Sequence, residues 1–204
     1  MPPHQGNHDA LPRVVGGKAL EGTSDPHSGA PLPRQNQRKT HGQPVGNHTR
    51  IDAVNTGVHD VKPLAKGLTE ALADTYRLVF KTHAYPWNVE GPLFFSIHML
   101  TDAQYADMFA AADEIAERIR ALGQLTPFRL TDIISASVVK DPAALPSAVA
   151  IVEDLTKDHE QVAKRMHGLI ELADKHKDPV TVDLITRRCG FHEKAAWMLR
   201  ATAK

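Results

Sequence analysis

The chain has a single cysteine, Cys189, which excludes a disulfide framework of its own and suits a reducing compartment. It has no excess of either charge. Its 24 Lys and Arg stand against 24 Asp and Glu, so the molecule carries no strong overall field for nucleic acid or acidic lipid. No apolar run approaches the roughly 20 residues of a membrane span. The opening MPPHQGNHDALPRVV lacks the basic and apolar blocks of a secretory signal. Sustained β-branched alternation is missing, as are a glycine-rich phosphate cradle and any Ser-His-Asp arrangement. These absences predict a soluble cytoplasmic protein, and 204 residues suit one domain with an appendage better than two domains.

The appendage is the N-terminus. Residues 1–50 hold seven of the 14 prolines, seven of the 13 glycines and five of the 12 histidines. Such a segment buries too little apolar surface to offset its ordering entropy, and we expect a flexible tail over 1–56. Arg13, Lys18, Arg34, Arg38, Lys39 and Arg50 outnumber Asp9, Glu21 and Asp25, for a net charge of +3. Composition allows a solvated linker, a basic arm for a polyanion, or weak metal capture by His41 and His48.

From about residue 57 the periodicity is helical. Leu64, Leu68, Leu72, Thr75 and Val79 form one helix face. Tyr105, Met108, Ala112, Ile115, Ile119 and Leu122 mark a second helix, stopped near Gly123. A short segment follows at RLTDIISAS. Leu145, Val149, Val152, Leu155, His159, Val162, Met166, Leu169 and Ala173 mark a third long helix. The fourth begins at Asp178-Pro179 and carries Val182, Ile185, Cys189, Ala196, Leu199 and Ala203. The pattern predicts an all-α four-helix bundle over 57–204, with a long connection between its second and third helices. Within it His159 reads as a core or interface histidine, Trp197 as packing, and Met166 and Met198 as residues among apolar neighbours. Cys189 reads as a buried, inert thiol.

The polar residues of the second helix are less ordinary. His98 and Asp102 are four residues apart, as are Asp113 and Glu117, so each pair projects from adjacent turns. At 100° per residue the four fall at about 0°, 40°, 60° and 100°, bordering an apolar stripe that spans about −20° to −120°. They are either a charged, solvated flank or metal ligands; carboxylate and imidazole suit hard and borderline cations. His98 and Asp113 lie roughly 22 Å apart along the axis, whereas ligands lie about 2 Å from a metal. One helix cannot bring both pairs to one ion. A shared site requires a second copy whose helix runs antiparallel across a two-fold axis.

WNVEG after a first helix, then FFSIHMLTD, then AAADEIAERIRALG, and finally FHEKAAWMLR together resemble the Dps family of ferritin-like mini-ferritins over about residues 57–204. The resemblance implies a hollow dodecamer of ferritin-like four-helix subunits with a short helix in the long connection. It implies oxidation of Fe(II), preferably by hydrogen peroxide, and storage of the ferric mineral. The ligands it implies are His98 and Asp102 from one subunit with Asp113 and Glu117 from its partner, which would also be the catalytic set, and Trp87 matches a tryptophan beside the site. Basic tails in the family often bind DNA, which assigns that role to the six tail cations and a nucleoid-associated place to the protein.

The sequence departs from that family at one ligand. Where relatives read H-N-F-H-W-N, this chain reads His83-Ala84-Tyr85-Pro86-Trp87-Asn88, so a donor-free proline stands where a histidine ligand is usual. Proline removes an N–H and disfavours helical geometry at the preceding residue, so the first helix is expected to end or bend early. His83, one turn back, is the available substitute. Two functional readings follow: a Dps-like ferroxidase with slowed oxidation, or a DNA-coating shell whose ferroxidase site is weak or absent.

Overall fold

The computed structural model describes residues 54–204; the tail residues Arg13, Lys18, Arg34, Arg38, Lys39, Arg50, His41 and His48 lie outside that range. The described chain forms α1 (Val61–Ala84), a 3₁₀ turn (Tyr85–Asn88), α2 (Phe94–Ala121), α3 (Leu130–Ala136), α4 (Ala148–Lys175) and α5 (Pro179–Thr202). No strand occurs among the described residues. Cross-helix contacts fix the topology. Tyr76 meets Phe109 and His83 meets Tyr105, so α1 and α2 are antiparallel. Lys81 meets Asp158 while Gly67 faces Leu169, so α1 and α4 are antiparallel too. Arg118 meets Asp178 and Arg188 meets Asp107, which sets α5 antiparallel to α2. The diagonal helices α2 and α4 therefore run parallel, and the long connection with α3 carries the chain back along the bundle. This is the ferritin-like arrangement.

Local chemistry explains the ends. Gly123 adopts φ +76°, the left-handed stop expected after α2. Ser147 caps α4 by accepting from the Ala150 N–H at 3.3 Å. Asp178 caps α5 by accepting from the Thr181 N–H at 3.0 Å, with Pro179 in the first turn. The same carboxylate accepts from Arg118 at 2.6 Å, which ties the end of α2 to the start of α5. Burial opposes its charge, but the Arg118 and Thr181 bonds outweigh that and hold Asp178 below the ordinary carboxylate range.

The core is aliphatic: Leu64, Leu68, Met108, Ile115, Ile119, Leu155, Met166, Ile185 and Leu199 are all fully buried. His159 and Cys189 are buried as expected. The apolar pattern misleads at the rims. Leu145 precedes the Ser147 cap and is exposed, and Val149 lies in the first turn of α4, before that helix is covered. Trp197 departs from its expected packing at 67% exposed, whereas Met198 lies among apolar neighbours as expected, in a groove shared with Met99, Leu100 and Ala103 of α2.

Polar groups cross the core at defined places. Asp74 accepts from Ser137, the Val138 N–H and Arg165, fixing the segment after α3. Thr82, Gln104, His159 and His192, one from each long helix, are 4% exposed or less. The two imidazoles share an Nδ1···Nδ1 hydrogen bond of 2.9 Å, in which one ring donates and the other accepts. Burial pushes His159 down to about 3 and holds His192 well below the ordinary range, so both rings are neutral.

Candidate metal centre on the second helix

The corner before α2 is built from its anchor outward. Lys81 is 4% exposed, and its Nζ donates to Asp158 Oδ2 at 2.5 Å and to the Lys140 carbonyl at 2.8 Å. It also lies 2.6 Å from Asp154, whose carboxylate accepts from the buried Tyr85 hydroxyl at 2.5 Å. One cation is thus divided between two carboxylates, and burial outweighs its pull, pushing Asp158 up to about 6. These bonds clamp the last turn of α1 onto α4 immediately before Pro86.

Pro86 acts as the sequence predicts on the ladder but not on its neighbour. The α-helix ends at Ala84 and tightens into a 3₁₀ turn, yet Tyr85 keeps helical angles of −60° and −48°. The Lys81 and Tyr85 anchors hold that geometry against the local bias. The turn projects Trp87 into solvent, 65% exposed.

Beside this turn is a cleft of about 50 Å³ lined by His83, Pro86, Trp87, His98, Thr101, Asp102 and Tyr105. His98 and Asp102 are therefore together, with His83 and Pro86 on the facing wall. The His83 ring stacks on Tyr105 at 4.3 Å between centroids and lies 4.7 Å from the Trp87 ring. Tyr105, which the apolar pattern assigns to the core stripe, instead donates its hydroxyl to Asp102 Oδ1 at 2.6 Å. That bond raises the phenol above its ordinary range and fixes one carboxylate oxygen. The sequence reading missed this role, although a tyrosine three residues after an aspartate on a helix could have signalled it. His83, His98 and Asp102 do not bring ligand atoms within 4.8 Å of one another in the single chain.

Asp113 and Glu117 are exposed and stand apart from this cleft. α2 is one uninterrupted helix across both pairs, so the roughly 22 Å separation applies. Asp113 lines a different feature, an open groove of about 700 Å³ walled by Tyr76, Phe109, Phe128, Leu130 and Ile133. Phe80, Phe109 and Phe128 are 67%, 60% and 90% exposed. That is a large apolar face for a single chain to leave in water.

One donor cluster was not visible as a motif: His167 with Cys189 and Glu193, from α4 and α5. The cysteine and glutamate share a helix face at i,i+4, but the histidine arrives only through tertiary packing. Among the described residues no helix is long and apolar enough to cross a membrane.

The ferritin-like domain model matches residues 65–204. An uncharacterized low temperature-induced protein of Nostoc sp. is 36% identical over 136 residues, covering 66% of this chain and 76% of its own. DNA protection during starvation protein 2 of Bacillus anthracis is 33% identical over 140 residues, covering 69% of this chain and 96% of its own. The crystal structure of the Dps protein of Vibrio cholerae O1, described as a ferritin-like diiron-carboxylate protein, superposes with a TM-score of 0.66. It is 27% identical, covering 70% of this chain and 89% of that one. With its bundle, its short connecting helix and these relatives, the chain belongs to the ferritin-like Dps family of DNA protection during starvation proteins.

Proposed function

We propose that this protein binds and oxidises Fe(II), preferably with hydrogen peroxide, and stores the ferric product inside a dodecamer, which protects DNA. One observation carries the reading. Two carboxylate-containing donor pairs stand exposed on one rigid helix, too far apart for one ion and each incomplete alone. Isologous pairing of α2 with its symmetry mate completes both at once: His98 and Asp102 of one subunit face Asp113 and Glu117 of its partner. The groove that contains Asp113 supplies the apolar area such pairing would bury.

The residues divide the work. The His98 imidazole holds the ferrous ion, and the three carboxylates favour the ferric state that follows. Tyr105 keeps one oxygen of Asp102 occupied and so aims the other. Each ferrous ion gives one electron, two ions reduce one peroxide, and its O–O bond breaks. The oxygens pass into ferric oxyhydroxide, and water supplies the remainder as protons leave. Pro86 contributes no donor, so we expect weaker Fe(II) binding and slower oxidation than a histidine there would give.

Anaerobic Fe(II) titration followed by a peroxide pulse tests this. The wild type should bind Fe(II) and oxidise it on the pulse, while His98→Ala should lose at least about 100-fold and Asp102→Asn at least about 10-fold in affinity or rate. Wild-type rates in both variants would refute the site.

Pro86 also favours a second reading, a shell that coats DNA with weak or absent ferroxidase activity. The tail's net +3 is small for one chain, but twelve copies act together. Deleting residues 1–50 should abolish DNA binding, and the full chain's affinity should fall steeply with salt. Equal gel shifts by full and truncated protein would remove the tail from DNA binding.

A further inference from the structure

The cluster of His167, Cys189 and Glu193 sits on the α4–α5 pair and has no part in the α2 site. Each residue offers one ligand atom, an imidazole nitrogen, a thiol sulfur and a carboxylate oxygen, and these atoms lie within 4.8 Å of one another. His167 Nε2 is 2.9 Å from Glu193 Oε1, and Cys189 Sγ is 3.7 Å from that same oxygen. The arrangement is asymmetric in burial. Cys189 is 3% exposed and enters from the bundle, whereas the His167 and Glu193 side chains are 61% and 56% exposed.

The sulfur faces two acceptors with a single proton to donate. Its hydrogen-bond contacts, to the Ala163 carbonyl and to Glu193, are both 3.7 Å. It is directed at a carboxylate, which repels the thiolate form. Burial first, then Glu193, pushes the thiol up to about 11. Three lone-pair donors thus converge where no side-chain cation lies among them. Lys164 and Arg200 line the adjoining cleft, and Arg200 is engaged by Glu160.

We propose that His167, Cys189 and Glu193 form a tetrahedral binding site for a borderline divalent transition ion of the zinc class, with solvent as the fourth ligand. The donor set decides the class. Thiolate and imidazole select zinc-like ions over hard, oxygen-seeking ones, and one sulfur, one nitrogen and one oxygen leave an open position. Binding displaces the thiol proton to solvent and turns the repulsion between Cys189 and Glu193 into shared attraction to the ion. The site links α4 to α5 and is chemically unlike the carboxylate-rich α2 site, which contains no sulfur.

Cobalt(II) titration of the reduced full-length protein under anaerobic conditions tests the proposal. The wild type should develop a thiolate-to-cobalt charge-transfer band and the intense visible bands of tetrahedral cobalt, and added zinc should abolish both. Cys189→Ser should lose the charge-transfer band. His167→Ala and Glu193→Gln, both at exposed positions, should weaken binding at least about 10-fold. His98→Ala should keep the band, which separates this site from that on α2. Absence of the charge-transfer band in wild type at saturating cobalt, or its persistence in Cys189→Ser, would overturn the proposal.

Discussion

Mixing two inactive variants is expected to restore about a quarter of the wild-type Fe(II) oxidation rate. His98→Ala alone should lose at least about 100-fold, and so should Glu117→Ala, because removing a ligand costs no less than disturbing its neighbours. In a homodimer of either variant both symmetry-related sites lack a ligand. In a mixed dimer one site collects both substitutions and the other collects neither. Random pairing makes about half the dimers mixed, each with one of its two sites intact, hence about a quarter. The measurement is the initial rate of peroxide-dependent oxidation for co-assembled protein against each variant alone. If the co-assembled protein stays as slow as its components, the two pairs do not share an ion.

Pro86→His should accelerate the same reaction about 10-fold or more, worth about 1.4 kcal/mol in transition-state terms. The position already lines the cleft with His98 and Asp102, so a new imidazole there would join their donors. The anchors at Lys81 and Tyr85 hold the turn whether or not proline is present. His83 is a poor substitute because its ring is stacked on Tyr105 and its donors do not converge with those of His98 and Asp102. His83→Ala should therefore change the rate less than about threefold, within about 0.7 kcal/mol. A large loss in His83→Ala together with no gain in Pro86→His would reverse the assignment and make His83 the working ligand.

The bundle was legible because its core obeys helical spacing almost without exception: Leu64, Leu68 and Leu72, or Val152, Leu155 and Val162, are buried where the period places them. The period fails where burial depends on a neighbour's length. Leu145 and Val149 extend the pattern of α4 past the end of its cover. The His98–Asp102 pair was legible as a local motif, since i,i+4 places both side chains on one face. The Tyr85–Asp154–Lys81–Asp158 network was not, because its members are separated by 69 and 77 residues and meet only across helices. Single-chain packing also explains the reach of Tyr105: it sits at the edge of the stripe, close enough to Asp102 to face the cleft.

The buried His159–His192 pair bears on how the fold chooses among its own near-misses. Aliphatic layers are interchangeable, so sliding one helix by a turn would exchange leucine for isoleucine at modest cost. Such a slip of α4 against α5 would break the His159–His192 bond and leave both buried rings without a partner at Nδ1. The pair thus works as an alignment key between these two helices. The Arg118–Asp178 and Arg188–Asp107 bridges extend the same constraint to α2, on whose spacing any symmetric pairing of subunits would depend.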